Sequence, residues 1–303
     1  MLPAFLATVL FSVSVISASR SARLLGSHVA NFWRVVVAVV LLALWAHSVG
    51  RGLEGGAFGI FFLSGCVGFG LGDMALFQSL PRLGPRLSSL LINCLAAPFA
   101  ALIEWMWMGT RLSVAEVICG LAILFGVALA LVPEQHVPIS PRRRGAGVLY
   151  GVLAGFGQGL GAVLSRKAYA VAAAAGQEVD GGTAAFQRIL GGLLIVAIPY
   201  AWLKLRERLA VDRPVRVAQK PDRSHTAWRW VLLNGLAGPT IGVALYQWAL
   251  KTTPSGVVLP IIATTPLVVI PLTFFLEGDR PGARSLAGGF VAVAGVIALT
   301  LVR

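Results

Sequence analysis

The feature that most constrains this chain is a pair of apolar runs between Gly70 and Thr110, GLGDMALFQSLPRLGPRLSSLLINCLAAPFAALIEWMWMGT. Each run is about as long as the 20 or so residues a helix needs to cross a bilayer. Only a short basic turn, Pro81 to Arg86, joins them. The pattern returns from Pro239 to Asp279 as PTIGVALYQWALKTTPSGVVLPIIATTPLVVIPLTFFLEGD. Ala75-Leu76-Phe77-Gln78 is echoed by Ala244-Leu245-Tyr246-Gln247, 169 positions later. Pro98 is echoed by Pro266, and Gly109-Thr110-Arg111 by Gly278-Asp279-Arg280. Marks that stay in register within one residue over such a distance point to an internal duplication.

Composition agrees with a membrane interior. Charged residues make up 12% and hydrophobic ones 57% of the chain, with a mean hydropathy of +0.83. A soluble domain carries about 25% charged residues, so this chain has too few to cover a water-facing surface. A transmembrane barrel needs alternating segments of about ten residues, and none is present. The net charge of +13 is carried between the apolar runs, which places it at lipid headgroups. No basic stripe with interleaved aromatics exists outside those runs, so no nucleic acid partner is expected. Cys66, Cys94 and Cys119 each lie inside an apolar run and read as small buried hydrophobes. His28, His47, His136 and His225 are scattered singly, so neither a metal site nor a cofactor is expected. The first apolar run lacks the basic n-region of a signal peptide and is read as a first membrane helix.

Ten spans are expected, at about 2–18, 30–49, 56–80, 87–108, 112–132, 147–164, 184–203, 231–250, 256–276 and 286–302. The Pro- and Arg-rich stretch PEQHVPISPRRRGAG divides them five and five. This gives a first five-helix repeat at 1–132, a linker at 133–146 and a second repeat at 147–303. Loop 204–230 is the long polar segment, expected to be solvated and partly helical near Leu203–Leu209. Ser19-Arg20-Ser21-Ala22 closes the first span as Ser165-Arg166-Lys167-Ala168 closes the sixth, and Phe32-Trp33-Arg34 opens the second as Phe186-Gln187-Arg188 opens the seventh. Five spans is an odd number, so the second half must enter from the opposite side. The fold class expected is therefore an all-α membrane protein of ten transmembrane helices in two inverted five-helix repeats, an arrangement typical of secondary transporters.

These residues resemble the drug/metabolite transporter superfamily, and within it the EamA-type family of ten-helix proteins. The resemblance rests on Arg34 and Arg188, the third-helix endings ALFQSLPRLGP and ALYQWALKTTPSG, Pro98 and Pro266, and the Gly-rich last helices after Gly120 and Gly288. It covers essentially the whole chain. One departure stands out: the acid that the family carries after the fourth helix is Thr110 in the first half and Asp279 in the second. The resemblance implies a permease of small metabolites, without cofactor, acting in export. It also implies a multi-pass protein of the plasma or inner membrane, with a small-molecule substrate and the lipid bilayer as partners and a homodimer as the assembly kept open.

Asp73 is the one acid well inside a span, about 10 Å deep by the 1.5 Å rise of a helix. A charge at that depth points to function. Its alternatives are a salt bridge to Arg34, a proton-coupling role, or anchoring of a substrate amine. Asn93, Gln158, Thr264 and Thr265 are the other mid-depth polar residues and complete the expected substrate site. Thr satisfies itself on its own helix backbone, whereas Asn and Gln need a partner or a wet cavity. Arg34, Pro98, Arg188, Pro266 and Asp279 are expected in structural or gating roles, the prolines by bending their helices and freeing a carbonyl. Glu104, about four residues from the helix end and next to Trp105 and Trp107, reads as an interfacial acid in an aromatic belt. The glycines of GFGQGLG, Gly155 to Gly161, lack the strand and Lys-Ser of a nucleotide loop and read as close helix contact.

A secondary transporter is thus the leading expectation. A lipid-linked-sugar flippase of the same fold is the alternative. An integral membrane enzyme is less favoured, because no cluster of acids and no Ser/His pair lies at membrane depth. Leaving Arg34 and Arg188 aside, six of the 25 Lys and Arg residues fall on one side of the bilayer: Arg51, Arg111, Arg166, Lys167, Lys251 and Arg303. The other 17 fall on the opposite side. The positive-inside rule therefore puts both termini outside, whereas the family resemblance implies termini inside.

Overall fold

Backbone groups that enter hydrocarbon must pair within their own segment, so runs as apolar as these fold as helices. A computed structural model describes residues 1–131, 141–209, 225–269 and 282–302, which are helical almost throughout. Helix α1 (Leu2–Leu25) meets α2 (Ser27–Ser48) at Gly26, whose φ of 84° an L side chain rarely adopts. Helix α3 (Phe58–Gly65) continues through a π-helical segment, Cys66–Gly72, into α4 (Asp73–Met108). Then come α5 (Val114–Leu131), α6 (Pro141–Ala174) and α7 (Gly181–Leu209). Helix α8 (His225–Gly235) passes through a second π-helical segment, Leu236–Gly242, into α9 (Val243–Thr252). Helix α10 (Ser255–Ala263) resumes at 265–269 after a break at Thr264, and α11 (Ala283–Val302) closes the described chain.

Among the described residues, seven helical stretches are long and apolar enough to cross a membrane. Two shorter apolar helices, Val114–Ala130 and Ser255–Val269, accompany them. Residues 73–108 form unbroken helix, yet Ser79 Oγ and Ser88 Oγ are 2.9 Å apart. A straight helix would hold residues nine apart at about 13 Å, so the chain folds back between them, at the expected basic turn. Two candidate spans, Phe58–Leu76 and Leu90–Met108, result.

The expected element ends shift in two places. Helix α6 starts at Pro141, so residues 141–146 of the expected linker are already helical. Proline suits a first helical turn, where its missing N–H has no partner to lose. Helix α7 runs on to Leu209, as the partly helical reading of Leu203–Leu209 expected, and α8 starts at His225, so residues 225–230 of the expected solvated loop are helix as well. The departure at Thr110 has a local answer too: α5 is opened by a capping box, with Ser113 Oγ accepting from Glu116 N and Glu116 Oε2 accepting from Ser113 N at 2.8 Å.

Helix α6 lies between the arms of the α3–α4 hairpin, and its glycines explain why. A Cβ added to Gly155 or Gly159 would touch Leu95 or Ala96 on α4, and one added to Gly157 or Gly161 would touch Gly72 or Gly68 in the first π-helical segment. Residues four apart share a helix face, so GFGQGLG presents two glycine faces to two neighbours, as expected of close helix contact. On the other side, α1 docks on α8 and α10: Ser14 Oγ donates to Asn234 Oδ1 at 2.7 Å, and Ser12 Oγ to Thr265 O at 3.0 Å. Helices α5 and α11 meet through Gly126 and Gly288, where a Cβ would sit 2.4 and 2.5 Å from backbone of the opposite helix.

Candidate functional site

Arg34 and Arg188 each stand seven residues into their helices, α2 and α7. That places both about 10 Å along the helix axis. Their surroundings differ. Arg34 donates through Nη2 to Asp73 Oδ2 at 3.2 Å and through Nε to Asn31 Oδ1 at 2.7 Å. Asp73 is the first residue after the first π-helical segment and is 7% exposed.

Arg188 is 3% exposed and has no carboxylate within ion-pair distance among the described residues. Its Nη1 donates to Ser165 Oγ at 3.2 Å, and its Nε has no hydrogen-bond partner. The guanidinium lies 5.2 Å from the ring centre of Phe69 and 5.8 Å from that of Tyr246. Gly68 makes room for it, since a Cβ there would be 2.5 Å from Nη2. Desolvating a cation costs several kcal/mol, and a cation–π contact returns about 2 kcal/mol when desolvated. The Arg188 charge is therefore under-compensated.

Ser165 is the hub of this region. Its hydroxyl donates to Gly161 O at 3.1 Å, meets Ser64 Oγ at 2.8 Å and accepts from Gln247 Nε2 at 3.1 Å. The hydroxyls of Tyr169 and Tyr246 and the amide oxygen of Gln247 are buried in this region without a hydrogen-bond partner. Buried polar atoms in proteins are nearly always paired, and this concentration of unpaired ones is what singles the region out as the candidate site.

Where α4 ends, a second network laces the helices together. Glu104 is 1% exposed rather than interfacial, while its neighbours Trp105 and Trp107 are exposed. Glu104 Oε1 accepts from Arg166 Nε at 2.6 Å, and Oε2 accepts from both the amide (2.8 Å) and the hydroxyl of Ser255. Arg166 Nη1 donates to Leu250 O and Thr253 O, each at 2.9 Å. At the start of α7, Asp180 accepts from Gly182 N, Thr183 N, the Thr183 hydroxyl and Trp45 Nε1. Burial alone would raise this carboxyl, but the hydrogen bonds from Thr183, Trp45 and Gly182 outweigh it and hold Asp180 below the usual carboxylate range.

Of the residues singled out from sequence, Asp73 and Arg34 come together. Thr264 and Thr265 are buried, but their hydroxyls donate to Ile261 O at 2.7 Å and Ile262 O at 2.6 Å, within their own helix. Thr265 thus satisfies the carbonyl four residues before Pro266. Gln158 is half-buried on α6 with its backbone against Gly72, and Asn93 is half-buried on α4. Pro98 faces outward, exposed in a groove shared with Leu124, Gly256 and Pro260. Asp279 lies outside the described residues. Glu104, Arg166, Ser165 and Tyr246 were not expected at a site; the matched depth of Arg34 and Arg188 was the one sequence signal that pointed towards it. Among the described residues no three His, Cys, Asp or Glu side chains are grouped as a metal ion would need.

Long apolar helices enclosing buried charged groups define a polytopic helical membrane protein. A model of the EamA-like transporter family matches residues 1–132 and 145–301, and the chain belongs to that family. It is accordingly a membrane transporter of the drug/metabolite class. A protein solved by crystallography is similar over 99% of this chain and 96% of its own, with a TM-score of 0.74 at 18% sequence identity. At that identity the likeness carries the fold alone. No curated protein matches the chain.

Proposed function

We propose that the chain is a secondary active permease that exports small metabolites by alternating access between two inverted five-helix halves, 1–132 and 147–303. The observation that carries this reading is the matched placement of unusual features in the two halves. Each has a π-helical segment of seven residues in its third span, Cys66–Gly72 and Leu236–Gly242, and an arginine seven residues into its second. Single π-turns inside α-helices often mark functional sites. The first span of each half packs against the other half, α1 on α8 and α10 and α6 on the α3–α4 hairpin. Counting that hairpin as two spans and α8–α9 as one supports a total of ten.

In this reading Asp73, Asn93, Gln158, Thr264 and Thr265 line the path of the substrate, and Asp73 is the group among them that carries a proton. Arg34 holds Asp73 in place between cycles. The network around Glu104 and Arg166 closes the path at the edge where α4 ends, and opening that edge requires its bonds to break. The protein resides in the plasma or inner membrane. Purified protein in liposomes, loaded with a metabolite panel under an imposed pH gradient, provides the test. Gradient-dependent movement of a soluble metabolite is expected. Scrambling of a lipid-linked sugar with no soluble solute moved would replace the permease reading with the flippase one.

A further inference from the structure

We propose that Arg188 is the anion anchor of the substrate site, and that the cargo carries a carboxylate or an equivalent small anionic group. This rests on the permease reading above. The duplication supplies an internal comparison. Arg34 and Arg188 occupy matched positions, and the residue that follows each π-helical segment is Asp73 in the first half and Val243 in the second. Arg34 is answered by Asp73, whereas the second half carries no acid at the matching place, with Gly242 ending the π-helical segment and a buried valine following it.

The described groups buried at this depth therefore carry two cations, Arg34 and Arg188, against one anion, Asp73. Glu104 and Arg166 cancel each other elsewhere. One bound monoanion restores neutrality, which a low-dielectric interior strongly favours. The spare groups near Arg188 suit such a ligand. Its Nε–H and the hydroxyls of Tyr169 and Tyr246 are donors without acceptors, and a carboxylate offers only acceptors. A guanidinium also matches a planar carboxylate in a way that an ammonium does not. Finally, Arg188 stands at the seam, touching Phe69 from the first half and Ser165 and Tyr246 from the second. A purely structural cation would need no vacant donors there.

Counterflow in proteoliposomes tests the assignment, with benzoate, benzylamine and benzyl alcohol as size-matched anionic, cationic and neutral competitors of whichever metabolite the panel identifies. Benzoate alone is expected to compete. Tyr246→Phe, which keeps the ring against Arg188 and removes the hydroxyl, is expected to raise KM about tenfold with little change in kcat, the loss of one hydrogen bond to a charged group. Val243→Asp is expected to melt at or above the wild-type temperature and to lose at least 90% of transport, because it gives Arg188 an internal carboxylate that displaces the cargo. Unchanged transport in a folded Val243→Asp protein overturns the inference, as does competition by benzylamine or benzyl alcohol in place of benzoate. If the folded wild-type protein moves no solute at all, the permease reading falls and this inference with it.

Discussion

Glu104 and Arg166, 62 positions apart, meet at 2.6 Å in a buried ion pair that ties α4 to α6, and through Arg166 to the carbonyls of Leu250 and Thr253. Removing one partner leaves the other charge buried and unpaired, which costs roughly 3 kcal/mol or more. Glu104→Gln is expected to lower the melting temperature of the purified protein markedly. It should also increase labelling, from the edge where α4 ends, of a cysteine introduced at Thr253, whose backbone carbonyl is its part in the network. Wild-type melting and unchanged labelling would remove the pair from any closing role.

Asp73→Asn keeps the shape of the side chain and deletes its charge. The permease reading expects pH-driven uptake to be abolished while the protein still folds and still exchanges cargo. A merely structural pair with Arg34 predicts poor folding instead, seen as aggregation on size-exclusion chromatography. Folded Asp73→Asn protein with wild-type pH dependence excludes the coupling role.

Asp180 caps α7, and loss of such a cap costs about 1 kcal/mol. Its carboxyl is held low in the folded protein, so its contribution is present above the unfolded value near 3.9 and is lost as pH falls through the folded value. Asp180→Ala should therefore melt below wild type near pH 7, with the gap shrinking towards about pH 3. A gap that stays constant over that range refutes the electrostatic account.

With ten spans, the expected orientation follows from 17 Lys and Arg residues on one side against six on the other, Arg34 and Arg188 being left out of the 25. A single cysteine placed within 210–224, in a variant lacking Cys66, Cys94 and Cys119, is expected to resist an impermeant thiol reagent in intact cells and to react after permeabilisation. Labelling of intact cells would reverse the topology and put both termini inside.

Much of this molecule was legible along the chain because membrane depth is a one-dimensional quantity. Apolar runs mark the long helices, and a lone acid at the depth of an arginine finds it, as Asp73 finds Arg34 across 39 positions. Threonines at Thr264 and Thr265 satisfy themselves locally, so their behaviour needed no knowledge of neighbours. What the sequence could not decide is which helix face meets which. Glu104 beside two tryptophans has the signature of an interfacial acid, and only the approach of α6 buries it on Arg166. Serine is too common in apolar helices to mark Ser165 as a hub. The π-helical segments are a matter of backbone pairing, which the pattern of side chains along the chain does not spell out. The setting of Arg188 is likewise a tertiary fact: Phe69, Ser165 and Tyr246 pack around its guanidinium, and none of them is an acid.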